Sequence, residues 1–259
     1  ADIDGEAPGD ASGGSVSLSA DGARLAVGAR GNHSHGSSYV RAYQFADGAW
    51  SQLGVDVDGE ALLDFAGESV SLSADGARLA IGAGGNDSDG LDSGQVRVYQ
   101  LEDNGRGSTS FATSTTSSTS STSSSADSLS RLGADIDGEA LGDMFGRSVA
   151  LSADGARLAI GAPGNDDNGP MSGHVRVFQF IDGGWSQLGA DIDAGDASGG
   201  SVSLSADGAR LAVGARGNHS HGSSYVRAYQ FADGAWSQLG VDVDGEALLD
   251  FAGESVSLS

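Results

Sequence analysis

Polar and apolar residues alternate at Ser15-Val16-Ser17-Leu18, the period-two pattern of a strand with one buried face. Ala20-Asp21-Gly22 then turns the chain, Asp-Gly being suited to the positive φ angles of a tight hairpin, and Leu25-Ala26-Val27-Gly28-Ala29 reads as a second, more deeply buried strand. A polar stretch over 31–38 leads into Tyr39-Val40-Arg41-Ala42-Tyr43-Gln44-Phe45, whose alternating large residues predict a third strand with Arg41 opposite Val40. Asp47-Gly48 is another hairpin signal, and residues 50–59 alternate again as a fourth strand.

This block recurs. Ser-Val-Ser-Leu-Ser-Ala-Asp-Gly-Ala-Arg-Leu-Ala returns nearly unchanged from Ser15, Ser69, Ser148 and Ser201 and restarts at Ser255, and residues 10–73 are identical to 196–259. Repetition at this period with four antiparallel strands per unit predicts an all-β fold, a β-propeller of four-stranded blades built as a single repeat domain. Four full blades fall at 15–59, 69–138, 148–193 and 201–245, and residues 1–5 and 255–259 are assigned to a partial one. The same ends also suit a fragment of a larger propeller, and an open arc would expose strand edges that self-associate. The second unit carries a Ser/Thr-rich insertion at 106–128, almost pure Ser and Thr over 108–125, predicted to be disordered because it cannot bury apolar surface. It reads as an O-glycosylated tether or as slippage tolerated in a surface loop.

Composition sharpens this picture. Forty-three glycines imply many tight turns, and 36 acidic against 13 basic residues, all of them Arg, give a formal net charge of −23. Such a field excludes nucleic acid and anionic membrane surfaces as partners, attracts cations and basic partners, and equally serves solubility alone. Without cysteine there is no disulfide, thiol nucleophile or zinc knuckle. No apolar run reaches spanning length, so membrane insertion is not expected. The first residues lack the basic and apolar regions of a signal peptide, and a targeting segment is expected outside this stretch.

Phe145-Gly146, Ser148-Val149 and Gly161-Ala162-Pro163 together resemble an FG-GAP repeat, the unit of the seven-bladed propeller of integrin α subunits and of many secreted bacterial and algal propellers. Phe65-Ala66-Gly67 with Gly82-Ala83-Gly84 is a worn version, and Ser12-Gly13 with Gly28-Ala29-Arg30 more so. The resemblance implies an extracellular or cell-surface location. Calcium-binding members of that family join their first two strands by an Asp-rich loop, whereas Ser19-Ala20-Asp21-Gly22-Ala23 offers too few oxygens, so that site does not carry over.

Candidate chemistry gathers in the loop between second and third strands, which aligns as Asn32-His33-Ser34-His35-Gly36, Asn86-Asp87-Ser88-Asp89-Gly90 and Asn165-Asp166-Asp167-Asn168-Gly169. Asp87, Asp89, Asp92, Asp166 and Asp167 are candidate Ca2+ ligands, and His33 with His35 candidate transition-metal ligands. The competing reading is an Asx-rich turn whose side chains bond their own backbone. Asn32, Asn86 and Asn218 fit the N-glycosylation acceptor pattern. Acidic rows recur at Asp56/Asp58/Glu60, Asp2/Asp4/Glu6, Asp135/Asp137/Glu139, Asp242/Asp244/Glu246 and Asp191/Asp193, forming either a cation-binding rim or a solvated edge. Trp50, Trp185 and Trp236 read as repeated core packing rather than a sugar platform.

No residue is assigned a catalytic role, because a catalytic pair should appear once whereas these carboxylates recur from blade to blade. The expected function is therefore non-enzymatic: adhesion, or protein or glycan binding, through the loops that include residues 32–38. A polysaccharide hydrolase or lyase using carboxylates is the rival, and a repeat fragment with no independent function the third reading.

Overall fold

The computed structural model describes residues 2–6, 9–31, 38–102, 129–195, 197–215, 224–246 and 252–258. The Ser/Thr-rich insertion and the candidates Asn32, His33, His35 and Asn218 lie outside the described residues. The first blade is β1 (Ser12–Leu18), β2 (Arg24–Ala29), β3 (Tyr39–Ala46) and β4 (Ala49–Asp58). The second is β5 (Ser69–Leu72), β6 (Arg78–Ala83), β7 (Gln95–Leu101) and β8 (Leu129–Arg131), with β9 (Ile136–Asp137) also paired to β7. The third is β10 (Ser148–Leu151), β11 (Arg157–Ala162), β12 (His174–Ile181) and β13 (Gly184–Gln187); the fourth is β14 (Ser198–Leu204), β15 (Arg210–Ala215), β16 (Tyr225–Ala232) and β17 (Ala235–Asp244). Each sheet runs in sequence order and pairs antiparallel. These are the blades of a partial β-propeller. Among the described residues no helix is long and apolar enough to cross a membrane.

Turn chemistry differs between the two hairpins of a blade. At Asp47-Gly48, and again at Asp182-Gly183 and Asp233-Gly234, both residues have positive φ, the mirror-image turn that matches strand twist. At Ala20-Asp21-Gly22 only the glycine does, and the tight hairpin expected there is a wider turn. In it Ser19 donates to Asp21 at 2.6 Å and accepts from the Arg24 N–H at 2.9 Å, so one hydroxyl ties turn to strand. The fourth strand runs unbroken where Gly54-Val55 and Gly240-Val241 stand, and is interrupted at Gly133-Ala134 and Gly189-Ala190, where β-branched valine is replaced by a poorer strand former.

First strands of successive blades lie side by side, and their serines explain the period-two pattern. Ser15 and Ser17 accept hydrogen bonds from the Val70 and Leu72 N–H groups, both at 2.9 Å, and Ser71 accepts from Leu151 at 3.0 Å. Ser201 and Ser203 do the same for Val256 and Leu258, placing residues 255–258 where the next first strand would run. At these junctions the inner-edge N–H groups are satisfied by the preceding strand's hydroxyls, since an unpaired buried N–H is expensive. Between the third and fourth blades Ala150 replaces the second serine, and Ser148 donates instead to the Gly199 carbonyl at 2.8 Å. The apolar half of the pattern fills the space between blades: Val40, Ala42, Leu53 and Val57 pack against Val70, Leu72, Leu79 and Ile81, and the next two junctions repeat this. Leu72, Leu151 and Leu204 are buried, while Leu18 in the first blade is 57% exposed because no blade covers that face.

Turns and arginines add a second seam. The Ala20 N–H donates to the Ala74 carbonyl, Ala74 to Ala153 and Ala153 to Ala206, a ladder running from turn to turn across all four blades. Arg24, Arg78 and Arg157 each reach forward to the carbonyl of the next blade's turn glycine, Gly76, Gly155 and Gly208. Trp185 and Trp236 donate backward to the Leu132 and Leu188 carbonyls and pack on Gly133 and Gly189. Trp185 and Trp236 are thus inter-blade structure, while Trp50 packs on Phe45 of its own blade.

Replacing Ser17 by Ala should lower unfolding free energy by about 1 kcal/mol, because the Leu72 N–H loses its acceptor; urea denaturation of the two proteins measures it, and equal midpoints would refute the edge assignment. Titration offers a second check. The Ser19 and Ser205 hydroxyls, then the Ala23 and Ala209 N–H groups, hold Asp21 and Asp207 below the ordinary carboxylate value of 3.8. At Asp75 and Asp154 burial pushes upward, but the Ser73 and Ser152 hydroxyls with the Ala77 and Ala156 N–H groups outweigh it. Lowered folded values mean that the stabilisation is complete above the unfolded value and lost as pH falls through the folded ones. Melting temperature should therefore drop as pH is taken below about 4, and less steeply in Asp75→Asn.

Candidate functional site

In the loops over 86–94 and 165–173 the asparagines turn inward. The Asn86 amide donates to Asp64 and the Asn165 amide to Asp143, both at 3.3 Å, with all four side chains in buried residues. Their carbonyl oxygens accept the Ser88 and Asp167 N–H groups, closing Asx turns. Asp87 accepts the Asp92 N–H at 2.8 Å and Asp166 accepts that of Met171 at 2.6 Å, so a second carboxylate in each loop pins its far side. Asp64 and Asp143 were not among the sequence candidates, although their fixed place just before the lead-in residue of each blade was the signal that could have revealed them.

These bonds bear on each candidate. Asp87 and Asp92 meet through backbone, and Asp166 and Asp167 likewise serve their own loop; among the described residues no group of three or more His, Asp or Glu side chains converges on a point. Asp89 is exposed at the loop tip. Asn86, 3% exposed and donating to Asp64, offers no free amide to a glycosyl donor in the folded chain.

The acidic rows form braces between strands and between blades. Arg41 holds Asp56 of its own blade at 2.9 Å and reaches Glu6 before it. Arg97 takes the Asp58 carbonyl at 3.0 Å and lies 3.6 Å from Glu60 of the preceding blade; Arg176 takes the Asp137 carbonyl and pairs with Glu139 at 2.7 Å. Arg227 pairs with Asp242 and reaches the Ala194 carbonyl. The Asp56 carboxylate raises the Arg41 pKa further; Asp56 itself is pushed up by burial but brought below its usual value by Arg41 and Gln52. Guanidinium groups thus meet the carboxylates of Glu6, Asp56, Glu60, Glu139 and Asp242 within these rows.

Beneath three of these arginines lies an aromatic ring drawn from two different sequence positions. In the third blade it is Phe145, 4.4 Å from the Arg176 guanidinium; in the first and fourth, where Ser12 and Ser198 replace that phenylalanine, it is Tyr39 at 4.7 Å and Tyr225 at 4.4 Å from the third strand. The Tyr39 hydroxyl then donates to Asp10 at 2.8 Å. The second blade has Ala66 and Gln95 at these two places.

The loop face itself carries large apolar side chains in a backbone region that L-residues avoid. Leu63, Phe65, Met144 and Met171 have φ of 74°, 55°, 53° and 53°. Leu63 stands where the other connections place Gly9, Gly142 and Gly195, all with positive φ. Leu91 and Leu141 are 67% and 69% exposed, and Met144 and Met171 are exposed as well. Backbone bonds join these positions into one surface: Gly142 N–H to Leu91, Met144 N–H to Asp92, Gly164 N–H to Asp143 and Ala197 N–H to Met171. The Leu141 side chain covers Gly90.

An FG-GAP repeat model matches residues 131–178, the stretch that holds Phe145-Gly146 and Gly161-Ala162-Pro163. No curated protein matches the sequence. Among solved structures, the chain is similar to a putative 6-phosphogluconolactonase from Bacteroides uniformis, with 12% identity, 90% of this chain and 72% of that one covered, and a TM-score of 0.47. It is also similar to the β-propeller domain of the Trilobed protease from Pyrococcus furiosus, with 11% identity, 87% and 56% coverage, and a TM-score of 0.48. The chain thus spans just over half the length of the latter structure. At these identities no activity transfers.

Leu63 provides a test of strain on this face. Leu63→Gly should raise unfolding free energy by about 0.5–1 kcal/mol, since leucine is penalised in the left-handed region and glycine is not. Gly142→Ala should lower it by about 1 kcal/mol, purely conformationally, because an added Cβ there meets nothing within 4 Å. Denaturant midpoints that move the other way would show that the loops are not held at these angles.

Proposed function

We propose that this chain is a non-enzymatic binding scaffold, displayed outside the cell, that engages a protein or glycan through the face formed by its second-to-third-strand loops and blade-to-blade connections. One observation carries the reading: Leu63, Leu91, Leu141, Met144 and Met171 leave large apolar side chains exposed on the loop face, Leu63 and Met144 at left-handed positions that other blades fill with Gly9, Gly142 and Gly195 or with Ala11 and Ala197. Large apolar side chains left exposed where the repeat elsewhere has glycine or alanine suit a contact surface. Carboxylates support the same reading, since the rows that could have formed acid–base pairs are taken up by Arg41, Arg97, Arg176 and Arg227 as braces. The FG-GAP match at 131–178 supports an extracellular setting by family likeness alone.

Wild type and a Leu91→Ser/Leu141→Ser/Met144→Ser variant of equal melting temperature should be compared on a glycan array and by panning of a displayed random-peptide library. Specific binders to wild type that fail on the variant are the expected result. Binders that ignore the triple change, or release of reducing ends from a polysaccharide panel, would overturn the proposal in favour of another surface or of the hydrolytic reading.

A further inference from the structure

Charge on the loop face is distributed differently from charge between the blades. Among the described residues, arginine ion pairs go to carboxylates of the acidic rows and to Glu68, which sits between Arg30 and Arg147. None of those pairs includes Asp87, Asp89, Asp166 or Asp167, all exposed; among the described residues Asp87 and Asp166 accept from loop backbone and Asp167 from Asn165. These uncompensated carboxylates stand in the same loops as Leu91 and Met171, and Leu141 lies across the Gly90 that follows Asp89. The chain has no lysine, and third- and second-strand arginines are committed to carboxylates or carbonyls of neighbouring strands and blades. The surface is therefore apolar at Leu91, Leu141 and Met171 and negative immediately around them.

From this complementarity we propose that the partner is a cationic amphipathic protein segment, in which apolar side chains dock on Leu91, Leu141 and Met171 while interleaved Arg or Lys meet Asp87, Asp89, Asp166 and Asp167. The inference rests on the binding-scaffold reading and narrows it to one partner chemistry. Apolar contact supplies the residence time, and the carboxylates steer approach and reject acidic competitors. A glycan would leave the leucines and methionines without an apolar counterpart, and an anionic bilayer would be repelled by a chain of net charge −23.

The probe is a short synthetic peptide of alternating Leu and Arg, titrated by calorimetry against the full chain, with Leu/Glu and Ser/Arg peptides of the same length beside it. The Leu/Arg peptide should bind at least about tenfold more tightly than either control, and more weakly as salt rises. Leu91→Ser/Leu141→Ser/Met171→Ser should weaken it about tenfold with the melting temperature held, and Asp89→Asn/Asp167→Asn should flatten the salt dependence. Equal binding of Ser/Arg, indifference to the triple change, or capture of neutral phosphatidylcholine vesicles through the same residues would overturn the proposal. Failure here combined with array or library binders that still depend on the loop face would remove only the cationic partner; loss of both would remove the scaffold reading as well.

Discussion

The spacing between blades depends on glycines meeting backbone to backbone. A Cβ built on Gly28 would fall 2.1 Å from the Gly67 carbonyl oxygen, and the pairs Gly82 with Gly146, Gly161 with Gly199 and Gly214 with Gly253 repeat the approach within a tenth or two of an ångström. One member is the glycine that closes the second strand, the other the glycine of the next blade's lead-in, which itself has positive φ. Any side chain at the first would force the blades apart. At the observed distance, Ser17 and Ser71 reach the next inner strand, the turn ladder closes and the third-strand arginines span the seam. Each of those bonds requires the close approach that the glycines permit.

The same geometry explains how the phenylalanine of the repeat can be lost while the blade survives. In three of the four blades a ring lies under the arginine, and Tyr39 or Tyr225 provides it from the third strand when the lead-in residue is Ser12 or Ser198; the second blade, with Ala66 and Gln95, has an aromatic residue at neither place. The hydroxyl that comes with the exchange is satisfied by Asp10 in the first blade and by the Gly195 carbonyl in the fourth. In the first and fourth blades the loss at one position is thus compensated at another, about 27 residues along the chain.

An acidic chain of this kind uses its carboxylates in two ways. Those facing blade junctions are compensated by guanidinium groups, which tolerate partial burial because their planar donors can be shared between carboxylate and carbonyl. Asp87 and Asp166 in the loops accept backbone N–H groups of those loops and leave their remaining charge facing solvent, while buried Asp64 and Asp143 of the connections take the amides of Asn86 and Asn165. The first set fixes the frame and the second shapes and charges the face proposed for binding.

Strand order within a blade and the FG-GAP character were legible in the sequence because a blade is a local object: period-two alternation, Asp-Gly turns and exact repetition all act over a few tens of residues. The structural role of the tryptophans was legible for the same reason, as bulky residues at one register. The partners of the acidic rows were not, because Arg97 and Glu60, or Arg176 and Glu139, are brought together only when consecutive blades pack. Nor was the burial of Asn86, whose tripeptide looks like a surface acceptor until Asp64 of the preceding connection folds over it. Alternation can say which residues share a face of a strand. Which group lies opposite that face, and which leucine of a turn is left looking outward, was decided by the contact between one blade and the next, since hydrogen bonds and ion pairs act over distances of a few ångströms that only the packed repeats create.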